Sequence, residues 1–313
     1  MLLHGDGIPQ DKKLAADYFQ HSADKGYVDS MVSYAILLSK GEGIAKNKTE
    51  SAKYFKLAAD QGDVDAMYKI AVILSTGNGI EKNKKEAARY FKQAADKGNP
   101  KAMFKYGIMN DFGDGIEINK KEAAHYYKLS ANKGYVNSMY NYAVMLSNGD
   151  GIDENKKGAA HYFKLATDKG DINSMYKFAV MLSKGDGIDV DKREAAHYYK
   201  LAADQGHVKA MFKYAMMLSK GDGIEVNKRE ASEYYKRAAD RGGVVSMFNY
   251  AVMVDQGDGI EIDKEEASRY YKLASEHGYA SAMYNYAIML SEGDGIEMNE
   301  RESARYYKLA ADK

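Results

Sequence analysis

The stretch Ser183-Lys184-Gly185-Asp186-Gly187-Ile188 decides the fold, because its Gly-x-Gly-Ile core returns every 36 residues, from Gly5-Asp6-Gly7-Ile8 to Gly293-Asp294-Gly295-Ile296, in nine copies. A fixed period of this length marks one supersecondary unit that cannot bury its own apolar face and stacks on its neighbours. Upstream of the loop, Met31, Tyr34, Ala35 and Leu38 show the i, i+3, i+4, i+7 spacing of an amphipathic helix, and the same columns stay apolar in later repeats. The start of this first helix is marked best at Asn99-Pro100, a capping residue followed by a proline whose missing N–H costs nothing there. Its end is the first loop glycine, where a left-handed backbone is needed. Ile188, repeated in every copy, reads as a plug that pins the loop to the core.

Downstream of the loop, a second helix opens with capping boxes such as Asn83 with Glu86 and Asp191 with Glu194; Asn155 lacks one because Gly158 replaces the glutamate. Ala195, Ala196, Tyr199, Ala202 and Ala203 fall on one side of this helix, and His197, Lys200 and Asp204 on the other. Tyr198, tyrosine in all nine copies, sits at the edge of the apolar stripe, its hydroxyl free to reach water or a backbone carbonyl. Gly206 ends the helix. Of 29 glycines, 26 occupy the columns of Gly185, Gly187 and Gly206, which assigns them to backbone geometry and leaves little for a ligand. The units run 29–64, 65–100, 101–136, 137–172, 173–208, 209–244, 245–280 and 281–313 after a half unit, 1–28, and residues 1–313 read as a single repeat domain.

These residues resemble the Sel1-like repeat, a relative of the tetratricopeptide repeat, with its small-residue first helix, Gly-x-Gly-aliphatic loop and second helix of the form Glu194-Ala195-Ala196-His197-Tyr198-Tyr199-Lys200-Leu201-Ala202-Ala203-Asp204-Gln205-Gly206. The resemblance covers the whole chain and implies an all-α, right-handed α-solenoid of 36-residue helix-turn-helix repeats that assembles other proteins. Two departures stand out: tyrosine occupies the usual tryptophan column, and the Leu-Gly pair of the first helix is mostly Tyr-Ala, as in Tyr142-Ala143. Some cysteine-rich relatives were once linked to hydrolase activity, and this chain has no cysteine.

Forty-five basic and forty-five acidic side chains cancel, which removes the whole-molecule argument for nucleic acid or an anionic membrane. No apolar run approaches the roughly 20 residues of a membrane span. The expected location is cytoplasmic, with no membrane insertion and no nucleic-acid partner. The chain opens on Met1-Leu2-Leu3, which aligns with the last turn of a first helix, and stops at Lys313 without a closing glycine; a longer array, or end-to-end stacking, is expected from this, with the fastest amide exchange in residues 1–28.

His125, His161 and His197 share one column, but equivalent helices in adjacent repeats stay about 8–10 Å apart, too far for ligands about 2 Å from one ion. The Gly-Asp-Gly loops lack the lysine and hydroxyl of a phosphate loop and the spaced carboxylates of a calcium loop. Fourteen of seventeen methionines fall in the columns of Met139 and Met145 and are read as packing. Asn47-Lys48-Thr49, the one glycosylation sequon, is read as a helix cap. Asn110-Asp111-Phe112 breaks the usual Leu-Ser-Lys ending and puts an amide in a core column. No serine, histidine and acid stand together outside the periodic columns, so no catalytic, cofactor or metal residue is assigned and no enzyme is expected; a hydrolase and a single-strand-binding aromatic and lysine stripe are the alternatives weighed.

The outer side of the first helix is the face expected to bind a protein or peptide, the concave side by resemblance to tetratricopeptide-type solenoids. Aromatics recur there as Phe104, Tyr140, Tyr176 and Phe212, interleaved with Lys101, Lys105, Lys177, Lys184, Lys209, Lys213 and Lys220, while the acids of those columns, Asp29, Asp65 and Glu292, lie towards the two ends and Asp111 at the edge. A basic stripe of this kind suits an acidic or phosphorylated peptide with aromatic or aliphatic anchors. The competing expectation is that neighbouring helices cover the aromatics completely.

Overall fold

A computed structural model describes residues 10–313; the first loop copy, Gly5-Asp6-Gly7-Ile8, and the Met1-Leu2-Leu3 opening lie outside the described residues. Seventeen α-helices of 12 or 13 residues, and no strand, make up the described residues. They group into two compact units that divide at Asn155 and Lys156. The first holds α1 (Lys12–Asp24), α2 (Val28–Lys40), α3 (Lys48–Asp60), α4 (Val64–Thr76), α5 (Lys84–Asp96), α6 (Pro100–Phe112), α7 (Lys120–Asn132) and α8 (Val136–Asn148). The second holds α9 (Lys156–Asp168), α10 (Ile172–Lys184), α11 (Lys192–Asp204), α12 (Val208–Lys220), α13 (Lys228–Ala239), α14 (Val244–Gln256), α15 (Lys264–Glu276), α16 (Ala280–Glu292) and α17 (Glu300–Ala311). Even-numbered helices are the first helices of the repeats, and within the units α2, α4, α6, α10, α12, α14 and α16 each pack most closely on the helix that follows.

The boundaries follow local chemistry. Pro100 opens α6 behind Asn99, whose side-chain oxygen accepts the Ala102 N–H at 3.0 Å. The first loop glycine takes the left-handed backbone that closes the helix, as at Gly185 with φ 72°. At the second helices only half of the capping box forms. Asn83 Oδ1 accepts the Glu86 N–H at 3.0 Å, but the Asn83 backbone N–H bonds the Leu74 carbonyl at 2.9 Å, so the glutamate returns only Oε2, to the Asn83 side-chain amide at 3.3 Å, and Oε1 is left for another partner. Glu86 uses that freedom across the repeat boundary, receiving Lys56 Nζ at 2.7 Å.

The core is alanine and aromatic. Ala35, Ala58, Ala71, Ala94, Ala195 and Ala202 are fully buried, which lets helices approach closely, and tyrosines of the two helices of a repeat meet edge to face. Tyr34 and Tyr54 do so at 5.0 Å, Tyr214 and Tyr234 at 4.9 Å. Such pairs contribute about 0.5–1.5 kcal/mol beyond their burial, and they account for both departures from the family pattern: the Tyr of Tyr-Ala fills the space facing the tyrosine that replaces tryptophan. Ile44, Ile80 and Ile116 pack on the core of the first unit, as plugs should. Asn110 is buried, but its amide donates to the Tyr106 carbonyl at 2.9 Å, so the irregular ending is satisfied within its own helix.

Adjacent repeats are tied by ladders with a 30-residue offset. In five repeats the tyrosine of the Tyr198 column donates its hydroxyl to an aspartate of the preceding repeat, not to the water or backbone carbonyl expected: Tyr54 to Asp24, Tyr90 to Asp60, Tyr126 to Asp96, Tyr234 to Asp204 and Tyr270 to Asp240, each at 2.6 Å. The lysine at the start of each second helix reaches the acid or amide of the next Gly-x-Gly loop, as Lys48 does Asn78 at 2.6 Å, Lys192 Asp222 at 2.6 Å and Lys228 Asp258 at 2.5 Å; Lys84 and Asp114 pair likewise. The second loop glycine explains why the loop tolerates nothing larger: a Cβ on Gly187 would lie 2.4 Å from the Lys156 carbonyl carbon.

Candidate partner-binding face

Residues exposed on the first helices are those that the apolar stripe leaves behind. In the first unit, Lys101 and Lys105 on α6 are exposed while Phe104 and Tyr140, on α6 and α8, are half-buried. In the second unit, Lys177 and Lys184 on α10 and Lys209 and Lys220 on α12 are exposed, and Tyr176, Phe212 and Lys213 are half-buried. The aromatics are therefore neither bare nor covered. Phe104, Tyr176 and Phe212 each lie against the second helix of their own repeat, and the first two also against the residue that opens the next first helix. Phe104 sits 6.0 Å from Tyr127 and 5.2 Å from Tyr135, and Tyr176 lies 5.9 Å from Tyr199 and stacks on His207 at 4.6 Å. Phe212 leans on Tyr235 at 5.9 Å, and Tyr284, in the last repeat, is 53% exposed. These contacts fix the ring orientations, so one face of each ring is presented without a further loss of rotamer freedom.

The electrostatics separate two classes of lysine. Those of the inter-repeat ladders spend their charge inside the molecule, as Lys56 does on Glu86 and Lys236 on Glu266, both at 2.7 Å. Among the described residues, Lys101, Lys105, Lys177, Lys184, Lys209 and Lys220 have no carboxylate partner, and Lys213 approaches only the Phe212 ring, at 5.8 Å. Lys69, in the column of Lys105, Lys177 and Lys213, is exposed and belongs with them although the sequence reading passed over it; its ammonium lies 6.0 Å from the Phe55 ring. Asp111 does not stand at the edge as a free acid. It is drawn in towards Lys120, at 2.6 Å, and its side chain is 13% exposed, so it takes little from the positive field of α6.

Between α10 and α12 the surface dips into a pocket of about 320 Å³. It collects Tyr176, Lys184 and Lys213 of the residues predicted from sequence, with Val180 and Met216 as apolar wall, the Lys192–Asp222 pair in its lining, and the Tyr199 hydroxyl beside Ser183, whose own hydroxyl donates to the Val180 carbonyl at 2.9 Å. Burial pushes the Tyr199 phenol up to about 12, which keeps it a protonated donor. The arrangement can hold an anion beside an apolar arm. The three column histidines, His125, His161 and His197, are exposed and stand edge-on to their neighbouring tyrosines at 5.3 to 5.4 Å. Among the described residues no helix is long and apolar enough to cross a membrane.

Comparison with known proteins agrees with the 36-residue period. The Sel1 repeat model matches nine times, at residues 1–27, 28–63, 64–99, 100–135, 136–171, 172–207, 208–243, 244–279 and 280–313. A protective antigen of uropathogenic Escherichia coli displaying an SLR fold superposes with a TM-score of 0.80 at 22% identity, covering 99% of this chain and 74% of that one. A Sel1 repeat protein from Oxalobacter formigenes gives 0.75 at 21% identity, covering 95% and 86%. No curated protein matches the chain. Repeats of this type commonly mediate protein–protein interaction and are typically non-enzymatic. With loop, glycines, helix pairs and nine successive matches all in one register, the chain belongs to the Sel1 repeat family.

Proposed function

We propose that this chain is a non-enzymatic scaffold or adaptor that holds an acidic or phosphorylated segment of a protein partner on the exposed side of its first helices. The observation that carries the reading is the set of first-helix lysines without internal partners, interleaved with half-buried aromatics of fixed orientation. A lysine already paired inside the fold must give up that pair to meet a ligand. An unpaired one gives up only water, and several on the first helices of one unit raise the local concentration of acidic ligands. Each exposed pair formed contributes about 0.2–1 kcal/mol, so affinity rests on several pairs acting with apolar anchors against Tyr176, Phe212 and their neighbours.

The test changes Lys105, Lys177 and Lys209 together to glutamate, outside the pocket between α10 and α12, and follows capture of acidic and basic peptide libraries. The parent should prefer acidic peptides, with affinity falling as salt rises, and the variant should lose or reverse that preference while its melting temperature stays close to the parent's. A parent protein without acidic preference, or a variant that keeps it, contradicts the reading.

A further inference from the structure

Among the described residues, two repeats hold a carboxylate where the others hold serine. In the first unit Asp111 occupies the position that Ser183 has in its own repeat; Lys120 donates to its Oδ1 at 2.6 Å and the Tyr127 hydroxyl to its Oδ2 at 3.2 Å. In the second unit Asp255 does the same with Lys264 at 2.6 Å and Tyr271 at 3.3 Å. Each lysine also spans to the acid of the next loop, Asp150 at 3.1 Å and Asp294 at 2.9 Å. The fold has thus built one receptor twice, a carboxylate between an ammonium and a phenol.

At Ser183 the receptor is present without its carboxylate. Lys192, the counterpart of Lys120 and Lys264, pairs with loop Asp222 at 2.6 Å and, among the described residues, with no second acid. The Tyr199 hydroxyl meets only Ser183 Oγ, at 3.5 Å. Thirty residues after each aspartate stands an asparagine, Asn141 or Asn285; thirty after Ser183 stands Lys213, which adds a positive charge where the internal negative one is missing. The space that remains is the 320 Å³ pocket, with unpaired Lys184 on its rim and Val180 and Met216 on its wall.

We infer that this pocket receives the carboxylate of a glutamate or aspartate side chain from the partner, held between Lys192, Lys213 and the Tyr199 hydroxyl with its methylenes over Val180 and Met216. The inference rests on the acidic-partner reading above and gives it a point of specificity. A side-chain carboxylate is favoured over a phosphate because the two filled copies are planar carboxylates on one lysine and one phenol.

The experiment measures fluorescence anisotropy of a labelled acidic decapeptide, and of versions with its central glutamate replaced by glutamine or phosphoserine, against the full chain. Ser183→Asp supplies the missing carboxylate from within, as at Asp111 and Asp255, and should fold with an unchanged or higher melting temperature. It should weaken the glutamate peptide by about tenfold or more, a loss of roughly 1.4 kcal/mol, and leave the glutamine peptide unchanged. Lys213→Asn, which installs the residue found opposite both aspartates, should weaken the glutamate peptide in the same sense, and it decides the matter should Ser183→Asp fail to fold. Unchanged glutamate-peptide binding in these variants overturns the pocket, and if the three-lysine variant has lost binding the wider face still stands. A phosphoserine version that binds better than the glutamate one overturns the choice of carboxylate. A parent that treats glutamate and glutamine peptides alike, with no preference for acidic peptides, removes both readings.

Discussion

Gly187 and Gly206 separate two reasons for a repeated glycine. Both have positive φ, 80° and 98°, but a Cβ at Gly206 would meet nothing within 4 Å, whereas at Gly187 it would strike the Lys156 backbone at 2.4 Å. Gly206→Ala should therefore cost about 1–2 kcal/mol from backbone strain alone. Gly187→Ala should cost about 3 kcal/mol or more, because the loop must move away from the start of α9; urea melts of the two variants check the order, and equal costs would contradict it. Ser174 offers a change of the opposite sign. Its hydroxyl is buried without a hydrogen bond, while Ser138, in the same column of the first unit, is bonded to Ser130 at 2.7 Å. Ser174→Ala, which installs the alanine found at Ala66, Ala102, Ala210 and Ala282, should raise stability by about 1 kcal/mol, and Ser138→Ala should lower it.

Along single elements, the helix limits were legible because glycine at positive φ and Asn or Asp at an N-cap have few substitutes. The ladders were not legible from one repeat at a time, since Tyr234 finds Asp204 and Lys192 finds Asp222 only across a 30-residue offset. Their signal was the joint presence of tyrosine and acid in fixed columns of adjacent repeats. Tyr234→Phe should cost about 0.5–1.5 kcal/mol by removing the phenol's bond to Asp204, which keeps Arg237 and Lys200, read by chemical denaturation, and Asp204→Ala should cost no more when combined with it than alone. The opening of α12 adds a pH dependence. His207 caps the helix by accepting the Ala210 N–H on Nδ1 at 3.1 Å, which requires a neutral ring, and burial, aided by nearby Lys209, lowers its pKa from the ordinary 6.5. The unfolded chain then takes up the proton first as pH falls, so this stabilisation is complete above about pH 6.5 and is lost below it. His207→Asn, which keeps a capping side chain as at Asn99, should flatten the melting temperature between pH 7 and 5 relative to the parent.

For the whole molecule, a net charge of zero conceals an uneven use of charge. Reading the columns located the exposed lysines of the first helices, but which lysines are paired depends on contacts between repeats, and so do the half-coverage of Tyr176 by His207 and the capture of Asp111 by Lys120. Asp255, the second such acid, was visible in the sequence as another break in the serine column, and its meaning emerged only beside Lys264 and Tyr271. The central claim is that acidic ligands use the unpaired lysines and, of the ladder lysines, only Lys192, which keeps its loop partner Asp222 as Lys120 and Lys264 keep Asp150 and Asp294. It is tested most directly by carbodiimide coupling of a glutamate-rich peptide to the full chain, followed by mass-spectrometric mapping of the lysines joined to peptide. Coupling should concentrate on first-helix lysines such as Lys105, Lys177, Lys184 and Lys213, and should be suppressed by salt; coupling that concentrates instead on ladder lysines such as Lys56, Lys228 and Lys236, or that spreads evenly over both classes, would contradict the account.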